Sequence, residues 1–174
     1  MQAHQMMSAA VSFKNTSAGY YKGMADLKGA LTGIFKEALT VPGLVFQINT
    51  LGGAIANGPE GAYPHRAYPH RAYPHRAYPH RAYPHRAYPY LGEAQAYWEN
   101  ADRAADLQAA IGRIRDHIAQ AGIDRHYANY PDIAFHDWPA AYYGRKNYER
   151  LQSLKQRFDP ENHVRHPQSV RVPV

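Results

Sequence analysis

The side chains best able to do chemistry in this 174-residue chain are histidine and tyrosine. There are 11 histidines and 15 tyrosines but no cysteine, which excludes disulfides, zinc–thiolate sites and cysteine nucleophiles. Five of the histidines (His65, His70, His75, His80 and His85) recur at a constant interval, because 62–86 is the unit Ala-Tyr-Pro-His-Arg written five times. Such a tract could hold a metal or an anion. Proline in every unit removes a backbone donor and biases the preceding tyrosine toward extended geometry. Neither a helix nor a central strand runs through such a sequence. In an extended chain successive histidines point to opposite sides, roughly 16 Å apart, which is poor geometry for chelation without folding back. The period is also too short for a solenoid unit. Most of the repeat therefore reads as a loop made by tandem expansion of one short motif.

The second chemical group is Tyr127, Asn129 and Tyr130. If this segment is extended, Tyr127 and Asn129 face one side. A tyrosine has an ordinary pKa near 10, so accepting a proton at neutral pH demands a nearby positive charge or hydrogen-bond donor. In a tyrosine-rich chain the competing reading is packing, with the hydroxyl at the surface.

Composition bounds the setting of these groups. Forty-five per cent apolar and 20 % charged residues describe a globular chain long enough for one domain. The formal net charge of +6 invites a nucleic-acid reading, but it belongs to the repeat. Taking the repeat's five arginines from the 20 basic residues leaves 15 against 14 acidic ones. No nucleic-acid partner is expected. No apolar run is long enough to cross a membrane, and Met1–Ala10 lacks the basic and apolar regions of a signal peptide.

The elements that must carry these groups follow from periodicity. Leu27, Leu31, Ile34, Phe35, Ala38 and Leu39 recur at helical spacing, and Pro42-Gly43 ends that helix. Leu44, Phe46 and Ile48 alternate with polar or smaller neighbours as in a half-buried strand, which runs into Gly52-Gly53. Leu107, Ile111, Ile114 and Ile118 form the stripe of a helix over about 100–121, with Asn100 as its cap and Gly122 as its stop. Leu151, Leu154 and Phe158 line a last helix that stops at Asp159-Pro160. Strands mixed with helices, without regular alternation, predict an α+β fold in which an antiparallel sheet is covered by helices.

Four short motifs near the end occur in a fixed order. They are Tyr127-Ala128-Asn129-Tyr130-Pro131-Asp132, Tyr142-Tyr143-Gly144-Arg145-Lys146-Asn147-Tyr148-Glu149-Arg150-Leu151, Leu154-Lys155-Gln156-Arg157-Phe158-Asp159-Pro160-Glu161-Asn162 and His166-Pro167-Gln168-Ser169-Val170. In this order they resemble the C-terminal part of the berberine bridge enzyme-like FAD-linked oxidoreductases, flavoenzymes of the vanillyl-alcohol-oxidase type. Upstream, Gly52-Gly53-Ala54-Ile55, one Ala-Tyr-Pro-His-Arg unit and Trp98 extend the resemblance over nearly all of the chain outside the expansion. Two departures stand out. Arg145 and Lys146 put two residues where the family pattern has one between glycine and asparagine, and the family carries the Ala-Tyr-Pro-His-Arg unit once.

The resemblance implies an organisation and a chemistry. Residues 1–61 would be part of a substrate-binding domain, 62–90 the repeat loop, and 91–174 a helix followed by the berberine-bridge-like segment. The dinucleotide-binding part, with its covalent FAD attachment, would lie outside this sequence. Tyr130 would be the catalytic residue, taking a proton from a substrate hydroxyl or amine as hydride leaves for the flavin. Loss of a general base typically costs about 10²–10⁴ in rate. Tyr127 and Gln95 would line a small-molecule substrate, with Glu93 near the same position, while Asn129, Tyr143 and Asn147 would approach FAD. No metal is implied. Two other readings stay open: a non-catalytic relic, and a binding module built on the His/Arg/Tyr repeat.

Overall fold

The computed structural model describes residues 12–52, 84–85 and 87–173. Most of the repeat therefore lies outside the described residues, as do Gly53, Ala54 and Ile55.

A three-stranded antiparallel sheet forms the centre, in the order β1-β3-β2. Strand β1 is Ser12–Tyr21, β2 is Leu44–Thr50 and β3 is Tyr90–Trp98. Helix α1, Met24–Thr40, joins the first two strands. After β3, a 3-10 turn at Ala101–Arg103 leads into α2, Ala104–Gln120. The Asn100 side chain accepts from the Asp102 amide at 2.9 Å. Gly122 then stops the chain at φ +76°, where a Cβ would be strained.

Both long helices cover one face of the sheet. Leu27, Ala30 and Ile34 of α1 and Leu107, Ile111, Ile114 and Ile118 of α2 pack on Ala18, Ala94 and Ala96 of the strands. The alanines of β3 let the helices approach closely, and Leu44, Phe46 and Ile48 of β2 pack against the same core. The stripe on α2 is the one read from the sequence; on α1 Leu27, Leu31 and Ile34 face the core, but Phe35 and Leu39 are exposed, the latter at 85 %, because the core-facing side runs through Ala30 and Glu37 instead. The fold is α+β with helices on the sheet.

Strand β1 carries an irregularity between Ser17 and Gly19, where the register against β3 shifts. Gly19 sits at φ +95°, and a Cβ there would lie 2.3 Å from Ile123. The bulge turns Ser17 and Tyr20 away from the helices. Their amides donate to the carbonyls of Tyr130 at 3.0 Å and Arg125 at 2.9 Å. The segment after α2 is thereby tied to the edge of β1 that β3 does not use.

Two short helices complete the described chain: α3, Trp138–Tyr143, and α4, Arg145–Phe158. The last helix corrects the sequence reading of its buried face. Leu154 and Phe158 are exposed, the latter at 72 %, and the buried residue is Tyr148. Tyr148 packs edge-on against Trp138 at 5.4 Å and receives the Arg171 amide on its hydroxyl. The helix is held by one aromatic anchor, not by the aliphatic stripe. Among the described residues no helix is long and apolar enough to cross a membrane.

Candidate functional site

The sheet face away from the helices carries tyrosines in place of aliphatic side chains. Tyr20, Leu51 and Leu91 are buried there, with Tyr88, Tyr127 and Tyr130 packed against them. A cavity of about 410 Å³ opens beside them, lined by Ile48, Asn49, Thr50, Leu51, Leu91, Tyr127 and Tyr130. Strands β2 and β3 form its floor and the segment after α2 supplies its tyrosines.

That segment is a turn, not an extended strand: the Tyr130 amide donates to the Tyr127 carbonyl at 3.0 Å. The turn brings the two rings into an edge-on pair, 5.0 Å apart. Asn129 still shares a side with Tyr127, donating to its hydroxyl at 2.8 Å. A single side chain fixes the start of the turn: Ser17 Oγ receives the Tyr127 amide at 2.9 Å.

Its far end is fixed by a closed ring of hydrogen bonds. The Asp132 amide donates to the Tyr142 hydroxyl, which donates to Gln168 Oε1, and Gln168 Nε2 returns to the Asp132 carbonyl. Three of the four sequence motifs meet in this ring. The fourth builds the turn after α4, where Asp159 accepts from Lys155 and from the amides of His163 and Val164. Asp132 has no side-chain exposure and lies 3.3 Å from Lys14 and 2.7 Å from Arg115. Burial works to raise its pKa, but the Ala134 amide and the two cations hold it below the ordinary value. The sequence reading quoted Asp132 only as part of a motif. A lone acid ending an aromatic turn was the available sign that it holds the turn.

The chemistry of the Tyr130 hydroxyl is set by its neighbours. Burial, and next the charge of Glu93, raise its pKa above the ordinary value. Glu93 comes from the centre of β3, is buried, and accepts from Asn15 Nδ2 at 3.1 Å. The charged neighbour acting on Tyr130 is thus an acid, where a stabilised phenolate demands a positive charge or a hydrogen-bond donor. Such a phenol stays protonated at neutral pH, under the charge of the Glu93 carboxylate. Gln95 lies two residues further along β3, outside the cavity lining, and accepts from the Tyr97 hydroxyl at 2.9 Å.

Tyr143 and Asn147 stand apart from this group. They line a second cavity, of about 250 Å³, with Pro84, His85, Tyr88, Arg125 and Lys146 among its other walls. Burial, then Tyr148, raises the pKa of Tyr143. Tyr20 connects the two regions, with its ring stacked on His85 at 4.4 Å and edge-on to Tyr127 at 6.3 Å.

Two histidines are buried at this junction: His126, which no pattern in the sequence singles out, and His85, whose place in the repeat marked it for a loop. His126 Nδ1 lies 3.2 Å from the Ser17 carbonyl, and His85 Nε2 lies 2.8 Å from the Tyr142 carbonyl. Desolvation lowers both to about 4. Among the described residues no group of three His, Asp or Glu could hold a metal.

Residues 126–171 match the family described as "Berberine and berberine like". The Bacillus subtilis protein "Uncharacterized FAD-linked oxidoreductase YvdP" is 35 % identical over 78 residues, 45 % of this chain and 17 % of that protein. Among solved structures, wild-type Physcomitrella patens BBE-like 1 shares the fold at a TM-score of 0.70 and 21 % identity, over 94 % of this chain and 31 % of that one. Berberine bridge enzyme from Eschscholzia californica does so at a TM-score of 0.66 and 17 % identity, over 92 % of this chain and 33 % of that one. The chain spans about a third of the length of these structures and a smaller part of its curated relative. Residues 126–171 are thus similar in sequence to the berberine-like family, and nearly the whole chain shares the fold of the corresponding third of berberine bridge enzyme-like structures.

Proposed function

We propose that this chain supplies the substrate side of an FAD-dependent oxidoreductase acting on a small hydroxyl- or amine-bearing molecule. The observation that carries the reading is Tyr130, on a turn fixed at both ends, lining a cavity beside Tyr127 and under the charge of the buried Glu93.

The residues fit part of such a cofactor. The larger cavity offers aromatic rings, hydroxyls and the Asn49 amide, a donor set suited to a flat ring with polar edges. The smaller one offers Tyr143 and Asn147 with Arg125, Arg145 and Lys146, a set suited to a polar or anionic chain. Asn129 would stand at the rim of the first, and Tyr143 and Asn147 would hold the second part. When bound, FAD supplies a hydride acceptor.

This chain's own residues would handle the proton. The substrate O–H or N–H points at the Tyr130 oxygen. As that bond breaks, the phenol oxygen gains the substrate proton and passes its own to the Glu93 carboxylate. The net change moves one proton from substrate to Glu93, and no phenolate need accumulate. Tyr127 packs on the Tyr130 ring and fixes its orientation, and Gln95 would contact a larger substrate reaching along β3.

A large part of the length of the related structures lies beyond this chain's match, so its affinity for FAD alone should be weak. The test is the visible spectrum after desalting. The chain alone should be colourless, and should retain yellow flavin when an FAD-binding part from a bacterial relative is co-expressed or fused. If that combined protein also leaves the column colourless, the flavin reading fails.

A further inference from the structure

Strand β2 is an edge of the sheet. All seven of its residues pair with β3, and among the described residues no strand lies on its other side. Its alternate backbone groups stay open along a run of about 24 Å, at roughly 3.4 Å per residue. Natural edges are guarded by charge, proline, a bulge or a covering element. Leu44–Thr50 holds no charged residue and no proline, and its register against β3 is unbroken. Phe46 and Ile48 pack on the core and yet stay only partly buried.

The helix above this edge is unfinished on the same side. On α1, Glu37 turns toward α2, where Arg113 meets it at 2.8 Å. Gly33 faces α2 as well, since a Cβ there would lie 2.4 Å from the His117 ring. Phe35 and Leu39 each stand two residues from Glu37, about 200° around the helix, so they turn away from α2. Helix α2 packs on β3 and β1, and α1 chiefly on β2. The flank carrying Phe35 and Leu39, 51 % and 85 % exposed, therefore overhangs the open edge.

We propose that a second copy of this chain occupies the edge, β2 against β2 and antiparallel, making one continuous sheet with three strands from each copy. A two-fold axis at Gln47 is the one register that pairs all seven residues. It sets Phe46 opposite Ile48 on the helix side, Val45 opposite Asn49 on the other, and Gln47 opposite its own copy. No like charges meet, so the strand is complementary to itself. The two α1 flanks close over it through Phe35 and Leu39. Edge and flank together offer on the order of 500 Å² per copy, at the threshold of a specific interface, so the dimer is weak and depends on concentration. Asn49 also lines the larger cavity, and Val45 of the second copy stands beside it and narrows the open side.

The chain has no cysteine, so single cysteines report the register without background. Gln47→Cys should give a disulfide-linked dimer on mild oxidation, because the two copies of that position face each other within bonding reach. Thr50→Cys should not, since its copies stand about 20 Å apart. Ser153→Cys, exposed on α4, should not either. Sedimentation of the full chain over roughly 1–200 µM should show a reversible monomer–dimer equilibrium. Leu39→Glu lies at an exposed position, so it should leave the melting temperature unchanged while weakening the dimer at least about tenfold. A monomer throughout that range would overturn the proposal. So would a dimer in which Gln47→Cys links no faster than Ser153→Cys, or one that Leu39→Glu leaves intact. None of these readings uses flavin or activity, so failure here leaves the oxidoreductase reading untouched.

Discussion

The two faces of one three-stranded sheet are built on different principles. On the helix face, Ala94 and Ala96 of β3 lie under aliphatic residues of α1 and α2, and burial of apolar area holds the layers together. On the opposite face, Leu91 and Glu93 of the same strand meet tyrosines, histidines and a turn fixed through Ser17, Tyr142 and Gln168. The first face needs only the right volume. The second needs particular atoms at particular distances, which is what a site requires.

This contrast predicts that the helix face governs stability most strongly. Ile114, 1 % exposed beneath α2, should lose about 3 kcal/mol on truncation to alanine, because a cavity remains in a packed layer. Urea unfolding should show the loss with an unchanged slope. A loss below about 1 kcal/mol would mean that α2 is not seated on the sheet as described.

Asp132 should come next, and it belongs to the other face. Asp132→Asn keeps the shape but leaves Lys14 and Arg115 facing a neutral group, at a cost of about 2 kcal/mol, since both cations are partly solvated. Thermal melts should report this, and the Tyr127–Tyr130 turn should loosen with it. Amide exchange at Tyr127 and Tyr130 should quicken while α2 stays protected. Uniform quickening through α2 would erase the distinction between the faces.

Acid should then separate the faces without mutation. His85 and His126 have folded pKa values of about 4 against an ordinary 6.5. The unfolded chain therefore binds more protons between those values. The stability they contribute is complete above about pH 6.5 and is lost as pH falls toward 4. The Asp132 contribution, whose folded pKa is lowered, is lost at still lower pH. His126→Phe should flatten the upper part of this profile, and Asp132→Asn only the lower part. An unchanged profile in His126→Phe would show that its imidazole is not buried neutral.

How much of this was legible in the sequence differs by face. The helices over Leu27–Leu39 and 100–121, and strand β2, are written in the period of their aliphatic residues, so their positions could be read, and their buried sides too except at Phe35 and Leu39, which are exposed. Strands β1 and β3 could not. Lys14-Asn15-Thr16-Ser17 and Gly92-Glu93-Ala94-Gln95-Ala96 carry too few large apolar side chains, because one face is small for helix contact and the other polar. The tyrosine turn was found as a motif, but its partner was not. Glu93 is 37 residues before Tyr130 and reaches it only through the ladder between β1 and β3. The aliphatic stripe on α4 misled because an aromatic anchor, Tyr148, decides which side packs.

The smallest stability effect belongs to the residue placed at the centre of the chemistry. Tyr130→Phe keeps the ring against Tyr127 and should change stability by less than about 0.5 kcal/mol, which chemical denaturation will show. A larger loss would make its hydroxyl a structural bond first.

The pairing of Tyr130 with Glu93 is tested most directly by anaerobic flavin reduction in a stopped-flow instrument, using this chain joined to an FAD-binding part from a relative and a panel of small alcohols, sugars and amines. Tyr130→Phe should slow reduction by about 10²–10⁴ with substrate binding little changed. Glu93→Gln should slow it comparably, and Tyr148→Phe, whose hydroxyl serves the Arg171 amide, should leave it unchanged. Near-normal reduction in Tyr130→Phe with the wild-type pH profile would contradict the account and leave the tyrosine turn a packing element alone.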